Sequence, residues 1–202
     1  MLSFSTMLAM AIFALTMSIT PGPVNMVILS SGTTHGVRAT HGFIWGAVLG
    51  FIALLLTVSI GLMQLINSHP LFLTTLTVVG TVFLVYVGLK IARSTPAIQA
   101  IQRPVPNFGQ GALLQWLNPK AWIACASGVS LFSQANTMTP IWVFAAIYLV
   151  VCYLSLLAWA IVGAKMRALL NQPRYIRWFN QFLGAALIVS ALWMLWQQLF
   201  MA

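Results

Sequence analysis

The stretch Thr20-Pro21-Gly22-Pro23-Val24-Asn25 interrupts the first long apolar run of the chain. Proline has no backbone N–H, and its ring clashes with the carbonyl four residues earlier, so two prolines in three residues open an α-helix. Apolar residues continue on both sides of the stretch, from about position 4 to position 31. We therefore predict a helix long enough to cross a membrane and broken near its middle.

A second stretch of the same kind, Leu117-Asn118-Pro119-Lys120-Ala121, interrupts an apolar run in the second half of the chain. Backbone opened at membrane depth is tolerated only where it is buried in protein or lines a watery cavity. Interrupted helices at corresponding positions of two halves are the best indication of a transport site in a sequence. The alternative interpretation is a pair of kinks that only shape helix packing.

Six apolar stretches reach the roughly 20 residues that a membrane-spanning helix needs. They lie near 4–31, 41–66, 71–92, 108–134, 140–164 and 178–200. The runs are continuously apolar and do not alternate with period two, which favours helices over barrel strands. We predict one all-α transmembrane domain over residues 1–202, with spans one and four broken. Three spans in each half would make the halves an inverted repeat.

The composition favours a membrane protein over a soluble domain. The chain is 61% apolar and 4% charged, with nine Lys and Arg and no Asp or Glu. Soluble domains carry about 25% charged residues. Without carboxylates, the paired acids of glycosidases and the Ser-His-Asp triad are excluded, so we predict no enzyme. Neither a metal site nor a cofactor is indicated, and we assign the net charge to membrane topology rather than to nucleic-acid binding.

The cations are placed asymmetrically between the predicted spans. The loops at 67–70 and 135–139 contain neither Lys nor Arg. Every cation except Lys120 falls on the other side: Arg38, Lys90, Arg93, Arg103, Lys165, Arg167, Arg174 and Arg177. The positive-inside rule makes that side cytoplasmic. We therefore predict a multi-pass protein with both termini outside, and lipid as a partner.

Lys120 is the cation that lies within a predicted span. A lysine at the centre of a membrane helix costs about 2.5–3.5 kcal/mol on insertion scales. Because the chain has no acidic residue, its partners must be carbonyls, water, lipid phosphate or a bound anion such as a substrate carboxylate. Helices that restart after Pro23 and Pro119 would add donors and positive dipole ends, with Asn25 supplying an amide. The alternative is that Lys120 snorkels toward cytoplasmic headgroups.

Span two carries the small-residue pattern Gly42-x3-Gly46-x3-Gly50. Small residues at this spacing let helix backbones approach closely in membranes. The pattern predicts tight packing within the chain, and a homodimer interface is the alternative.

Two cysteines, Cys125 and Cys152, lie in adjacent predicted spans. A buried free cysteine usually behaves as a small apolar residue. A membrane thiol–disulfide redox protein that uses this pair is nevertheless the alternative function, and a non-transporting membrane scaffold is a third possibility. In a scaffold, the two mid-span breaks would be a cost without a purpose.

The motifs together resemble a known family. Thr20-Pro21-Gly22-Pro23-x-Asn25, then Ser31-Gly32-x2-His35-Gly36-x-Arg38, then Gly46-x3-Gly50, resemble the N-terminal signature of the LysE/RhtB family of amino-acid exporters. Asn118-Pro119-Lys120-Ala121 resembles that family's second signature, and Tyr86-Val87-Gly88 suits its third span. The resemblance covers nearly the whole chain. It implies efflux of amino acids or close derivatives across the bacterial inner membrane, driven by the proton gradient.

One position departs from the family pattern. Many members carry an acidic residue directly after the last glycine of span two, where this chain has Phe51. In this the chain resembles the branch of cysteine and O-acetylserine exporters. The absence of an anion argues against cationic substrates and against proton coupling through that carboxylate. We expect proton-antiport efflux of small neutral amino acids that are cysteine/O-acetylserine-like or homoserine/threonine-like.

The predicted substrate site lies between broken spans one and four. Asn25 would hydrogen-bond the substrate, Lys120 would meet its carboxylate, and Phe51 would line an apolar wall. The residues that would open the two helices and complete the site are Pro21, Gly22, Pro23, Asn118 and Pro119.

Overall fold

The computed structural model of the chain describes residues 2–62, 70–93, 104–134, 137–169 and 173–200. In these ranges the chain forms eight α-helices: α1 (Phe4–Ile19), α2 (Pro23–His35), α3 (Val37–Thr57), α4 (Pro70–Ala92), α5 (Phe108–Trp116), α6 (Pro119–Phe132), α7 (Thr139–Leu169) and α8 (Pro173–Phe200). A π-helical segment, Val58–Leu62, continues α3. The only strand-like pairing of the described residues is an isolated bridge between Gln134 and Thr137. The predicted all-α class is confirmed.

Three of the described helices are long and apolar enough to cross a membrane: Val37–Gly61, Thr139–Met166 and Arg177–Gln197. The pair α1 and α2 passes the same test when it is taken as one span, and its two parts meet at a bend of 61°. A shorter apolar helical stretch, Thr77–Ala92, lies in α4. The chain is therefore a multi-pass helical membrane protein.

Several helices extend beyond their predicted spans. Helix α3 begins at Val37 rather than at 41, α7 continues to Leu169 rather than ending at 164, and α8 begins at Pro173 rather than at 178. Some of the basic residues that we predicted in loops lie in helices, for example Arg38 in α3 and Lys165 in α7. Lys and Arg favour the helical conformation, and their long side chains can keep the charge out of the hydrocarbon core. Arg103 and the loop residues 67–69 and 135–136 lie outside the described residues.

The predicted first loop is a single residue, Gly36, between α2 and α3. Its φ of 82° is a conformation that side chains disfavour and glycine adopts readily. The Gly36 N–H donates to the Gly32 carbonyl at 3.0 Å. The hydroxyls of Ser31 and Thr40 hydrogen-bond across the turn at 2.9 Å. This joint turns the chain back on itself and brings α3 beside α2.

Close contacts of small residues hold α3 against α5. A Cβ on Gly46 would overlap the Phe108 carbonyl, and one on Gly50 would lie 2.7 Å from the Ala112 Cα. Gly42, the first glycine of the pattern, has the nearest such atom only at 4.0 Å. Gly46 and Gly50 therefore pack against another helix of the same chain, whereas Gly42 stands at the edge of that contact.

Two further helix pairs are packed in the same way. Gly163 of α7 lies against the Leu29 carbonyl of α2, and the Thr33 hydroxyl donates to the Gly163 carbonyl at 3.1 Å. In α4 and α8, Gly88 and Gly184 lie against each other's backbone. These contacts place α2, α3, α5 and α7 around the two helix breaks, and α4 and α8 form a pair beside them.

Candidate functional site

The first break lies between α1 and α2. Helix α1 ends at Ile19, and both Thr20 (ψ 135°) and Gly22 (φ −164°, ψ 179°) are extended. Each of these two residues precedes a proline, and a residue before proline is disfavoured in the helical conformation. Pro23 then occupies the first turn of α2, where its missing N–H costs nothing. The sequence therefore sets the break locally, as we predicted.

The break exposes the last carbonyls of α1, which have no partner within their own helix. Side chains from three other helices satisfy three of them in succession. The Asn25 Nδ2 of α2 donates to the Ser18 carbonyl at 2.9 Å, the Trp159 Nε1 of α7 donates to the Ile19 carbonyl at 3.2 Å, and the Lys120 Nζ of α6 donates to the Thr20 carbonyl at 2.9 Å. The opened backbone is thus held in place by the protein.

Lys120 makes two contacts with Thr20 at this break. Its Nζ also donates to the Thr20 Oγ1 at 2.7 Å, so one threonine supplies both acceptors. A cation at a helix C-terminus is stabilised by the negative end of the helix dipole. The ammonium group therefore lies at the first break. Because the chain has no acidic residue, we expected a carbonyl among its partners, and the Thr20 carbonyl is one. Snorkelling toward cytoplasmic headgroups stays the alternative interpretation of this lysine.

The second break separates α5 from α6 at Leu117 and Asn118. The Asn118 Oδ1 caps the new helix by accepting from the Lys120 backbone N–H at 3.1 Å, and Pro119 follows in the first turn. The Trp122 Nε1 donates back across the break to the Trp116 carbonyl at 2.7 Å. This break is therefore predicted correctly in position and is capped from within α6.

A small cavity lies between the two breaks. Its volume is about 30 Å³, which on this measure holds about two water molecules. Its lining consists of Met17, Ser18, Gly22, Val24, Asn25, Phe51, Gln115, Asn118, Lys120, Ala121, Ala124, Tyr148, Cys152 and Leu156. In this conformation the cavity is smaller than an amino acid.

The structure brings five of the predicted site residues together in that lining: Gly22, Asn25, Phe51, Asn118 and Lys120. The three prolines are not in the lining. Pro21 is exposed, whereas Pro23 and Pro119 are buried in the first turns of their helices. The prolines shape the backbone of the site, and their neighbours supply its surface.

Helix α7 contributes three lining residues that we did not predict: Tyr148, Cys152 and Leu156. They are spaced four residues apart and so lie on one face of the helix. Ser18, shortly before the first break, and Gln115, shortly before the second, also line the cavity and were not predicted. Because α7 is apolar all round, its sequence gives no indication of which face meets the cavity.

Phe51 lines the cavity, and its ring has a specific partner. It stacks on the Tyr148 ring with centroids 4.0 Å apart and an angle of 10° between the planes. The Phe144 ring meets Tyr148 edge-on at 5.6 Å. Aromatic pairs in offset-stacked and edge-to-face arrangements stabilise each other beyond the area that they bury. The wall is therefore a fixed aromatic surface.

The charges and dipoles of the site favour an anion. Gly22 caps α2 with no side chain, so no side chain bonds the first N–H groups of that helix. A Cβ on Gly22 would lie 3.3 Å from the Lys120 Nζ, so the ammonium group is close to this helix start. Helix N-termini bind anions through free N–H groups and the positive dipole end. No acidic residue exists in the chain to occupy the place.

Neither cysteine is in a disulfide. Cys125 and Cys152 are both free and buried, and only Cys152 lines the cavity. In the described part of the chain, no three His, Cys, Asp or Glu residues are grouped as a metal site would need.

A membrane protein whose two broken helices meet at a small polar cavity has the architecture of a transporter. The family described as LysE type translocator matches residues 15–198. The chain belongs to the LysE type translocator family, as its motifs suggested, and this is a family of transporters rather than enzymes.

Relatives of known name agree with this assignment. The cysteine/O-acetylserine efflux protein of Klebsiella pneumoniae subsp. pneumoniae is 28% identical over 181 residues, which cover 89% of this chain and 91% of that protein. The proteins of the same name from Escherichia coli O139:H28 and from Escherichia coli K12 are also 28% identical over 181 residues, which cover 89% of this chain and 92% of each. No solved structure matches the chain.

Proposed function

We propose that this protein exports small neutral amino acids or their derivatives across the bacterial inner membrane. The observation that carries the proposal is the position of Lys120, whose ammonium group joins the two helix breaks above a cavity. The family supports translocation, and the names of the relatives support cysteine-like and O-acetylserine-like substrates. The chain's own residues support a neutral substrate, since they include no carboxylate to attract a cation.

The substrate carboxylate binds at Lys120 and at the start of α2. The ammonium group exchanges its bonds to Thr20 for bonds to the carboxylate, while the first N–H groups of α2 donate to the same anion. Asn25 and Asn118 hold the two breaks open around it, and Phe51 closes one side. Hydrogen bonds to charged groups contribute about 1.5–3 kcal/mol each, so this end of the substrate supplies much of its affinity.

The fold that we propose around this site has six spans in two inverted halves. Helices α1 with α2 and α5 with α6 form the broken first and fourth spans, and α3, α4, α7 and α8 form the others. Both termini face outward, because the basic residues gather at the ends that the positive-inside rule makes cytoplasmic. Alternating access comes from one half rocking against the other. That motion must enlarge a cavity of about 30 Å³ before a substrate enters.

Proton antiport drives the export in this proposal. No Asp or Glu is available to carry the proton, so the coupling differs from a carboxylate relay. Membrane lipid and a second copy of the chain in a homodimer are the further partners in this proposal. Gly46 and Gly50 pack against another helix of the same chain, so a dimer contact would have to use other surfaces.

Uptake into inside-out vesicles tests the proposal. Vesicles with the protein and vesicles without it are given a radiolabelled panel of cysteine, O-acetylserine, serine, threonine, alanine, leucine and lysine, each with and without a protonophore. We expect protein-dependent, protonophore-sensitive accumulation of small neutral members and none of lysine. Accumulation of lysine alone, or of no panel member, would refute the substrate class. Accumulation that ignores the protonophore would refute the antiport while leaving the export in place.

A further inference from the structure

Three polar side chains converge on the cavity: those of Ser18, Tyr148 and Cys152. Ser18 is 5% exposed, and its Oγ is buried without a hydrogen-bond partner among the described residues. The Tyr148 hydroxyl and the Cys152 thiol are the polar neighbours of this oxygen. All three residues line the cavity. A buried hydroxyl that lacks a hydrogen-bond partner costs folding free energy. The Ser18 hydroxyl is therefore available to bond a group from outside the chain.

Helix geometry explains why these groups meet. Helix α1 buries Met10, Ala14 and Ser18, which are spaced four residues apart and form one stripe. The stripe of Tyr148 and Cys152 on α7 faces the same cavity. The stacking of Phe51 on Tyr148 fixes the tyrosine ring, and therefore the position of its hydroxyl. The arrangement is a pocket with two hydroxyls and a thiol at its wall.

Resting on the proposed function, we propose that Ser18, Tyr148 and Cys152 form the pocket for the substrate's side chain. The pocket selects short side chains that carry a hydroxyl, thiol or ester oxygen. Such a group satisfies the Ser18 hydroxyl, whereas an alanine or valine side chain leaves it unpaired. Sites that hydrogen-bond a substrate group reject analogues that lack it more strongly than apolar pockets reject a change of size. Leu156 and Phe51 bound the same cavity and limit the length of the side chain.

Competition in inside-out vesicles tests the role of Ser18 and Tyr148. The labelled substrate is the panel member that accumulates best. Unlabelled alanine and unlabelled serine are each added at increasing concentration, and the concentration of each that halves the uptake is measured. The reported quantity is the alanine value divided by the serine value. We expect Ser18→Ala and Tyr148→Phe each to lower this ratio about fivefold, as the loss of one hydrogen bond would. The matched control is Ser155→Ala. Ser155 is equally buried on α7, but it lines a groove on the outer side of α1 and not this cavity.

Labelling of Cys152 gives a second, transport-independent measurement. A small methanethiosulfonate reagent is added to purified protein that carries Cys125→Ala, so that Cys152 is the only thiol. We expect serine to slow the labelling of Cys152 more than alanine does at equal concentration. In the converse variant, Cys152→Ala, we expect Cys125 to label at a rate that neither amino acid changes, because Cys125 does not line the cavity.

The outcomes separate this proposal from the proposed function. Wild-type selectivity in both Ser18→Ala and Tyr148→Phe, with normal membrane insertion, would overturn the side-chain pocket and leave amino-acid export intact. Equal protection of Cys152 by serine and alanine would overturn it as well. A wild-type protein that accumulates no panel member would overturn the proposed function and this proposal together.

Discussion

Lys120 joins parts of the chain that are 100 positions apart in sequence. Its two contacts to Thr20 compensate for the desolvation of an ammonium group that has no acidic partner. The same contacts hold the C-terminus of α1 beside the N-terminus of α6. A substrate carboxylate competes for this ammonium group, so the residue that stabilises the empty site is also the one that recognises the substrate in our proposal.

Gly22→Ala tests whether the space beside Lys120 matters. The extended backbone at Gly22 suits any residue, so the new methyl group introduces no backbone strain. Its Cβ would lie 3.2 Å from the Lys120 Cδ and 3.3 Å from the Nζ, which displaces the lysine by a few tenths of an ångström. We expect the KM for the transported amino acid to rise about threefold to tenfold, consistent with a weakened charged hydrogen bond. Concentration-dependent vesicle uptake measures it.

Gly109→Ala is the matched control for that substitution. Gly109 is an exposed helical glycine whose nearest neighbour to an added Cβ is the Asn107 Oδ1 at 3.5 Å, an ordinary contact. We expect its KM to match the wild type. A Gly22→Ala protein with unchanged KM would contradict the placement of the carboxylate beside Lys120.

The residue contacts of the site were only partly predictable. Asn25, Phe51 and Lys120 could be named as candidates for different reasons. An amide and a cation are unusual within a broken apolar span, and Phe51 stands where many family members carry an acidic residue. Thr20 could not be identified as the partner of Lys120, because nothing local in the sequence specifies a contact between distant helices. Tyr148 was missed because an apolar helix does not reveal in sequence which face meets a cavity.

At the scale of elements, both breaks end in a helix that restarts at a proline, but the two restarts have different caps. Both helices restart at a proline, Pro23 in α2 and Pro119 in α6. Asn118 caps the second restart with its own side chain, whereas Gly22 leaves the first restart without a side-chain cap. The first restart is therefore the one with donors to offer an anion, and the second supplies the lysine. The breaks were predictable because proline acts on its immediate neighbours.

Gly46→Ala tests the packing of α3 on α5. An added methyl group would overlap the Phe108 carbonyl, so the helices must separate. Overpacking of this kind typically costs about 1–3 kcal/mol. We expect a lower thermal unfolding temperature of the purified protein in detergent and a smaller yield of folded protein.

Gly42→Ala belongs to the same glycine pattern and serves as its control. The nearest atom to its added Cβ is 4.0 Å away, so we expect wild-type stability. If instead Gly42→Ala and Gly46→Ala were equally harmless in the folded protein, the contact of α3 with α5 would be wrong. A change in oligomer size with unchanged stability would favour the dimer interpretation of this pattern.

At the scale of the whole molecule, two helix contacts support the inverted repeat that we propose. Helix α5, the first part of the proposed fourth span, packs on α3, and α1, the first part of the proposed first span, packs on α7. These two contacts correspond under an exchange of the halves.

Reporter fusions test the orientation of the molecule. Six spans with a cytoplasmic basic side place the C-terminus outside. We expect alkaline phosphatase fused after residue 200 to be active, because that enzyme folds only outside the cytoplasm, and a fusion after Arg93 to be inactive. The converse pattern would contradict the proposed orientation, in which both termini face outward. Equal activity at both fusion points would require an even number of spans between them.

The transport activity of Lys120→Ala tests most directly whether Lys120 belongs to the substrate site. It is compared in inside-out vesicles with the wild type and with Lys165→Ala, an exposed lysine whose loss leaves Arg167, Arg174 and Arg177 to maintain topology. With equal amounts of inserted protein, we predict that Lys120→Ala lowers the initial rate of neutral amino-acid uptake about tenfold or more, as the loss of a charged hydrogen bond implies. Lys165→Ala should transport normally. Wild-type rates in correctly inserted Lys120→Ala protein would contradict the assignment of the site.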